Sequence, residues 1–281
     1  MIAEDGIITE IARAKVNLTL HVGRLISQGE RKGYHPVDSL VVFADFGDEL
    51  SFEAAEAVGL EISGPFAEGL EANSDNLILK ALRLTDAPPQ KVRLKKNIPV
   101  SAGLGGGSAN AAAVLRRFDP DQRVNDVHVG ADVPVCRRSR TAFMRCIGED
   151  VTPVLDLGQI PAIIVNPLIE VSTGAIFKAF DSVGRETEPE QNATQGSLLE
   201  RALAGQNDLQ AVAIENAPAI SRVLSEIKTQ DTCQLARMSG SGASCFGLFE
   251  TKAAAKAAAS AIKKSNPEWW VKACQLGDTY E

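Results

Sequence analysis

The feature that most constrains this chain is a glycine-rich segment at residues 103–107, which runs directly into small residues that favour a helix. Four of its five residues are glycine, and each glycine inside a helix or strand costs about 0.5–1 kcal/mol relative to alanine. Such a run is typical of a tight turn that exposes its backbone N–H groups. Before a helix, those groups and the helix dipole together bind anions. The segment therefore predicts a phosphate-binding loop for a polyphosphate, followed by a helix over residues 111–118.

Two better-known phosphate motifs do not fit this segment. Counted from Gly103, the third glycine of the dinucleotide pattern G-x-G-x-x-G falls on Ser108, and no Gly-Lys-Ser/Thr follows as in a Walker A loop. A flexible glycine loop without a ligand is the remaining alternative. It is less favoured, because an ordinary linker would not run straight into an alanine-rich helix start.

Length, charge and cysteine usage narrow the class of protein. With 281 residues the chain has room for one large or two modest domains. Its formal net charge of −7 argues against a nucleic-acid partner bound through a broad basic surface. Its five cysteines are scattered and form no C-x-x-C pair, which is typical of reduced thiols in a cytoplasmic protein. No signal peptide and no bilayer-length apolar run are found, so no membrane partner is expected.

Polar residues at two places are candidates for a functional site. Lys15 and Asn17 are two residues apart on a predicted strand, so both side chains lie on the same face. A lysine and an asparagine on one face of an otherwise apolar strand indicate a polar pocket. Asp132 stands in the segment Gly-Ala-Asp-Val-Pro. From the residues alone, a solvated strand face and an ordinary turn remain good alternatives.

Three further segments carry aromatic or small residues that are candidates for a binding site. Tyr34 and His35 place an aromatic ring and an imidazole side by side, which can stack on and hydrogen-bond a flat base. Phe177 follows a Ser-Thr-Gly helix start, and a Gly-Ser-Gly turn begins at Gly240. The alternatives are a half-buried capped loop, a core phenylalanine and a tight structural turn.

The ordered motifs resemble the GHMP kinase superfamily, which includes galactokinase, homoserine kinase, mevalonate kinase and phosphomevalonate kinase. The segment P-x-S-A-G-L-G-G-G-S-A-N-A-A resembles its phosphate loop, and A-K-x-N-L, G-Y-H, G-A-D-V-P, V-S-T and M-S-G-S-G follow the family's order over nearly the whole chain. The form G-L-G-G-G-S most resembles the branch that acts on 4-diphosphocytidyl-2-C-methylerythritol. The resemblance implies an α+β, two-domain GHMP kinase fold with the active site in the interdomain cleft. We expect an N-terminal ATP-binding kinase domain over residues 1–155 and a C-terminal α+β substrate domain over 156–281.

The resemblance also implies a reaction, in which the γ-phosphoryl group of ATP is transferred to the 2-hydroxyl group of this small-molecule substrate, a cytidine diphosphate conjugate of methylerythritol. Asp132 would be the base, and Lys15 would orient the hydroxyl group and stabilise charge. Asn76, Leu77 and Lys96 are implied to lie around the adenine of ATP. The other implied ATP-binding residues are Pro99, Val100, Ser101, Ala102, Gly103, Leu104, Gly105, Gly106, Gly107, Ser108 and Ala109. The implied substrate-binding residues are Asn17, Tyr34, His35, Phe177, Gly240, Ser241 and Gly242.

Magnesium is expected to bind with ATP, and Ser108 is its candidate ligand, since no carboxylate ligand can be identified. Family members often have Ser-Ser where Ser108 and Ala109 stand, so one hydroxyl donor is missing here.

Three alternatives remain open at this stage. A homoserine or mevalonate kinase has a substrate without a base, which the G-Y-H motif and Phe177 argue against. A catalytically inactive nucleotide- or sugar-sensing protein on the same fold is disfavoured by the intact Lys15 and Asp132. An RNA-binding protein is disfavoured by the acidic charge balance. The sequence leaves the oligomeric state undetermined.

Overall fold

The computed structural model describes residues 7–184 and 188–278, which form a mixture of strands and helices and confirm the expected α+β class. The strands are β1 (Ile8–Asn17), β2 (His21–Val22), β3 (Val37–Ala54), β4 (Gly59–Ser63), β5 (Gln90–Lys95), β6 (Ala142–Cys146), β7 (Asp150–Pro153), β8 (Gln159–Asn166), β9 (Cys233–Met238), β10 (Cys245–Phe249) and β11 (Trp270–Gly277). The helices are α1 (Leu77–Leu84), α2 (Gly106–Phe118), α3 (Asp126–Val129), α4 (Val133–Arg138), α5 (Thr173–Ser182), α6 (Leu198–Ala204), α7 (Gln210–Asn216), α8 (Ala219–Lys228) and α9 (Lys252–Ser265).

The backbone contacts divide the chain into two compact units, each built from segments that are distant in sequence. Unit 1 comprises Met1–Lys15, Phe46–Val100 and Gly105–Ser139, and unit 2 comprises Val16–Asp45, Ser101–Leu104 and Arg140–Glu281. Strands β1 and β3 and the glycine-rich segment each contribute residues to both units. The linear boundary near residue 155 stays a prediction.

In unit 1, β5 pairs with two strands and the helices pack around α2. The register of the antiparallel pair β3–β5 runs from Glu49 opposite Lys95 to Ala54 opposite Gln90, and β4 runs parallel to β5. Residues 109–115 of α2 are all buried. Most of them are alanine, and these small side chains leave room for α1 and α4, which both contact α2. The helix that follows the glycine-rich segment is therefore an interior helix.

In unit 2, β8 lies between β10 and β11, with antiparallel pairing on both sides. Helices α8 and α9 pack on this sheet and bury an apolar cluster that includes Ile163 of β8, Val223 of α8 and Ile262 of α9. Burying one such side chain contributes about 1.5–3 kcal/mol. Trp269 is buried in the same cluster and packs in the core.

The predicted elements agree with the structure where local signals are strong. The sequence predicts one helix over Leu77–Leu84, after a run of capping residues, and another over Ala219–Lys228, from its amphipathic pattern, and the structure has both with these bounds. The helix expected from Ala111 begins earlier, at Gly106, so two of the four glycines lie in its first turn. The segment around Asp132 is more than a turn, because Val133 begins α4 and Pro134 occupies its first turn, where proline is tolerated.

Two sequence-level expectations concern cysteines and membranes. All five cysteines are free thiols. Burial, reinforced by the nearby charge of Asp132, raises the pKa of the Cys136 thiol to about 12, which makes it a poor nucleophile. Within residues 7–184 and 188–278, none of the helices combines the length and apolarity needed to cross a bilayer.

Candidate active site

Unit 1 brings together the two residues predicted to be catalytic. Lys15 lies on β1 and is almost completely buried, and its Nζ atom lies 3.0 Å from Oδ2 of Asp132. Asp132 is the residue before α4, and its side chain remains 31% exposed. The opposite charges offset part of the cost of burying the ammonium group. The carboxylate is thus held in place by a buried partner while part of its surface stays accessible to a ligand.

The start of α2 lies directly over the stem of Lys15. Gly105 precedes the helix with φ 62° and ψ 21°, a left-handed conformation that favours glycine. A Cβ atom at Gly105 would lie 3.0 Å from Cε and 3.1 Å from Cβ of Lys15. The first N–H groups of a helix have no intrahelical acceptor, and here no capping side chain accepts from them either. These donors, the helix dipole and Lys15 form one positive region in unit 1.

A second lysine, the residue directly after β5, reaches the same helix start. Gly106 is so close to Lys96 that a Cβ atom there would lie 2.8 Å from Nζ. Lys96 is buried and pairs with the fully buried Asp48, whose Oδ1 atom accepts hydrogen bonds from the backbone N–H groups of Asn97 (2.7 Å) and Ile98 (2.9 Å). Burial lowers the pKa of Lys96, and the charge of Asp48 opposes that shift. Lys96 therefore lies next to the glycine-rich segment.

Ser108 faces the segment that carries Asp132. Its Oγ atom lies 3.7 Å from the position that a Cβ atom would take at Gly130, and Gly130 is two residues before Asp132. The candidate magnesium ligand and the candidate base are thus on neighbouring segments of unit 1. Among residues 7–184 and 188–278, no group of three or more histidine, cysteine or acidic side chains is arranged to hold a metal ion.

Asn76 and Leu77, the two predicted adenine-site residues at the start of α1, make different kinds of contact. Asn76 caps α1, because its Oδ1 atom accepts a hydrogen bond from the N–H group of Ile78 (3.0 Å). Its Nδ2 atom donates to the carbonyl of Glu71 (3.1 Å). Leu77 lies beside the glycine-rich segment, with Cδ1 3.5 Å from the Cβ position of Gly107. Capping of α1 accounts for Asn76 without any role in ligand binding. Leu77, in contrast, is positioned to line a site at the start of α2.

In unit 2, the first half of the glycine-rich segment packs against the Met-Ser-Gly-Ser-Gly turn. Gly103 has φ 70°, and a Cβ atom there would lie 2.9 Å from the carbonyl oxygen of Gly242 and closer still to that of Ser239. The Oγ atom of Ser239 donates to the Gly103 carbonyl (2.9 Å) and accepts from the backbone N–H of Asn17 (3.1 Å). This one hydroxyl group therefore joins three of the predicted motifs.

Two further residues fix the same part of unit 2. The Nδ2 atom of Asn17 donates to Oγ of Ser39 (2.7 Å), which holds the amide in one orientation. The Nδ2 atom of Asn207 donates to the carbonyls of Met238 (2.8 Å) and Gly240 (2.9 Å) and so fixes the turn. On the far side of the turn, the hydroxyl groups of Ser241 and Thr173 lie 2.8 Å apart.

The predicted base-binding residues are only partly brought together. The rings of His35 and Phe177 have centroids 5.1 Å apart and are tilted by 33°. The Nδ1 atom of His35 lies 2.8 Å from the carbonyl oxygen of Gly23 and is therefore the donor. The side chain of Phe177 also packs at the edge of the apolar cluster. Tyr34 is 49% exposed, so its ring is accessible from solvent.

Known proteins resemble this chain over almost its full length. Models of the GHMP kinases N terminal domain and the GHMP kinases C terminal region match residues 76–119 and 189–268. The chain is 46% identical to 4-diphosphocytidyl-2-C-methyl-D-erythritol kinase of Paracoccus denitrificans, covering 95% of this chain and 96% of the relative. It is 41% identical to the protein of that name from Roseobacter denitrificans, covering 98% and 95%. The chain belongs to the 4-diphosphocytidyl-2-C-methyl-D-erythritol kinase family of GHMP kinases.

A solved structure agrees with this assignment of the kinase family. The crystal structure of a 4-(cytidine 5'-diphospho)-2C-methyl-D-erythritol kinase matches the chain with a TM-score of 0.77 and 29% identity, covering 97% of this chain and 100% of the other. The two-part GHMP kinase fold implied by the motifs is thereby confirmed.

In this kinase, the rest of the predicted ATP-binding segment is divided between exposed and buried residues. Val100 is 46% exposed, and Ser101 has a positive φ of 50°. Ala102, Leu104 and Ala109 are buried and serve packing. Since Ala109 lies on the buried side of α2, the hydroxyl group it lacks would lie among packed side chains. The roles assigned to these residues and to Pro99 stay predictions.

Several residues that hold the site of this kinase were missed by the sequence analysis. Asp48, Ser39, Ser239 and Asn207 each fix a predicted residue through one or two hydrogen bonds. Ser239 carried a signal, because it lies inside the Met-Ser-Gly-Ser-Gly motif. The other three carried none, since their partners are distant in sequence.

Proposed function

We propose that this chain transfers the γ-phosphoryl group of ATP to the 2-hydroxyl group of 4-diphosphocytidyl-2-C-methyl-D-erythritol, a step of the non-mevalonate isoprenoid precursor pathway. The names of its relatives support this substrate. The observation that carries the proposal is the pair Lys15–Asp132, 3.0 Å apart beside the uncapped start of α2. That arrangement supplies a proton acceptor, a fixed cation and an anion site within unit 1.

Asp132 is assigned the role of general base. Its partly exposed carboxylate can accept the proton of the substrate hydroxyl group as the oxygen attacks phosphorus. Lys15 stays buried beside the carboxylate and stabilises the negative charge that develops on the attacking oxygen. The same ion pair holds both groups in one geometry, which lowers the entropic part of the barrier.

The start of α2 is assigned to the phosphate groups of ATP. The first N–H groups of the helix are donors without intrahelical partners, and Gly105 has no side chain to cover them. Lys96 adds a second positive charge beside Gly106. Ser108 is the residue that we assign to Mg²⁺, which would neutralise phosphate charge when bound with ATP.

Unit 2 is assigned to the cytidine diphosphate part of the substrate. His35, Phe177 and the exposed Tyr34 would hold the base, and Asn17 with the turn at Gly240, Ser241 and Gly242 would hold the remainder. The amide of Asn17 is oriented by Ser39, and the turn is fixed by Asn207. These groups are therefore already ordered before any ligand binds, which reduces the entropic cost of binding.

The other functions considered from the sequence gain no support from the relatives or from the site. A homoserine or mevalonate kinase is not favoured, because the curated relatives at 41–46% identity carry one common name with a different substrate. An inactive sensing protein is not favoured, because Lys15 and Asp132 form the contact that the chemistry requires. The cytoplasmic location inferred from the cysteine pattern stays a prediction.

The test is ADP release from Mg-ATP with 4-diphosphocytidyl-2-C-methyl-D-erythritol, for the wild type and for Asp132→Asn. We expect turnover that depends on the substrate and falls by about 10²–10⁴-fold in the variant, with ATP affinity unchanged. Asp121→Asn, which makes the same change at an exposed position after α2, is the control. Wild-type protein that binds both substrates without turnover would favour the sensing protein, and full activity in Asp132→Asn would remove the base assignment.

A further inference from the structure

Both ring nitrogens of His35 are directed at oxygen atoms of unit 2. Nδ1 lies 2.8 Å from the carbonyl oxygen of Gly23, and Nε2 lies 3.2 Å from Oδ1 of Asp181. The ring is also fixed by its aromatic neighbours, since Phe180 meets its edge at a centroid distance of 6.2 Å. Because both ring nitrogens already have partners, His35 can contact a base only through the face of its ring.

Asp181 is positioned to supply the hydrogen-bonding group for a base that His35 does not offer. It lies on α5 four residues after Phe177, so both side chains are on the same face of the helix. Its side chain is 37% exposed, while that of His35 is only 5% exposed. A carboxylate can accept several hydrogen bonds, and His35 uses only one oxygen. The second oxygen is therefore open to a ligand that packs against His35 and Phe177.

We propose that the carboxylate of Asp181 selects cytosine by accepting a hydrogen bond from its exocyclic amino group, while it also holds the ring of His35. This inference rests on the proposed function, because it names the residue that reads the base of the same substrate. The residue makes no contact with the reacting atoms, so it sets specificity for the base.

The chemistry of the two common pyrimidines makes the selection strong. Cytosine presents an N–H donor at position 4, and a carboxylate oxygen is an acceptor of the kind that proteins use to read that group. Uracil presents a carbonyl acceptor there, which would face the carboxylate without a proton between them. The carbonyl group of uracil and the carboxylate of Asp181 are both acceptors, so neither recovers the hydrogen bond that it made with water. Binding of uracil is therefore disfavoured.

The variant Asp181→Leu gives a test with a defined direction. Leucine has a similar size but neither accepts nor donates a hydrogen bond, so the amino group of cytosine loses its acceptor and the carbonyl group of uracil no longer faces a carboxylate. We therefore expect the preference for cytidine diphosphate over uridine diphosphate to fall by about tenfold or more, while KM for ATP stays close to the wild-type value.

The measurement is calorimetric titration of the full-length protein with cytidine diphosphate and then with uridine diphosphate, together with steady-state kinetics. Asp231→Leu, an identical change at an exposed position before β9, is the control, and thermal melting shows whether each variant is folded. Asp181→Glu keeps a carboxylate and should retain most of the preference. An unchanged ratio of the two affinities in folded Asp181→Leu overturns this inference but not the kinase assignment. A wild type that binds no cytidine diphosphate and does not turn over the substrate overturns both.

Discussion

A Cβ atom on Gly105 would lie 3.0 Å from Cε of Lys15, so the first residue before α2 and the candidate catalytic lysine occupy adjoining space. Gly105 is glycine for two separate reasons. Its φ of 62° is left-handed, and Lys15 would have to move by a few tenths of an ångström to admit a Cβ atom. The phosphate loop and the lysine are therefore mechanically coupled within unit 1.

Gly105→Ala tests this coupling. The left-handed conformation alone should lower the free energy of unfolding by about 1–2 kcal/mol, and displacement of Lys15 should also reduce kcat. Thermal and urea unfolding with steady-state kinetics are the measurements. Gly107→Ala is the stability control, because its Cβ atom would make an ordinary 3.5 Å contact with Leu77 in a helical position. An unchanged kcat in folded Gly105→Ala would show that the coupling is wrong.

Lys15 and Asp132 should act as one unit in catalysis. We expect Lys15→Met to reduce kcat by about 10²-fold or more, because the developing charge loses its buried cation. The double variant with Asp132→Asn should be little slower than the slower single variant, since each single change already breaks the pair. Single-turnover kinetics on all four proteins measure this. Rate losses that simply multiply would mean that the two residues contribute independently.

Asp48 should be essential for keeping Lys96 charged beside Gly106. Asp48→Asn leaves the ammonium group buried without a counter-ion, which typically costs about 3–5 kcal/mol, and the pKa of Lys96 should fall further below its ordinary value. We expect lower stability and weaker ATP binding, measured by chemical unfolding and calorimetry. The matched control is Glu49→Gln, which breaks the neighbouring exposed pair with Lys95 and should change stability by about 1 kcal/mol or less. Similar losses in both variants would contradict this role.

The loop after α2 should make the protein sensitive to acid. Burial raises the pKa of Asp119, but hydrogen bonds from the backbone N–H groups of Val124 and Arg123 and from Arg137 lower it more, so the pKa lies below its ordinary value. Such a carboxylate stabilises the folded state above the pKa of the unfolded chain, and this contribution disappears as the pH falls through the folded-state pKa. Unfolding free energies measured from pH 7 to pH 2 should decline less steeply in Asp119→Asn than in the wild type. Asp121→Asn should follow the wild-type profile, and identical slopes for all three proteins would refute the assignment.

Part of this fold could be predicted because its signals are local. The helix Leu77–Leu84 has its cap, Asn76, directly before it, and the helix Ala219–Lys228 follows a proline and repeats apolar residues on one face. Strand β9 was missed, because its burial does not alternate: four partly buried residues are followed by two buried ones. The helix after Asp132 was missed because a proline in a short segment predicts a turn as readily as a first helical turn.

The sequence by itself determined the family, the order of the motifs and the identity of the residues that carry charge, since these depend on residue type and spacing. The tertiary structure decided which of those residues meet. Lys96, expected near adenine, lies against Gly106, and Ser239 joins Asn17 to Gly103 although these residues are 222 and 136 positions away from it. Asp48 holds Lys96 across 48 positions. Contacts of this kind depend on how strands and helices pack around a common core, and a distant hydrogen-bond partner leaves no pattern in the residues next to it.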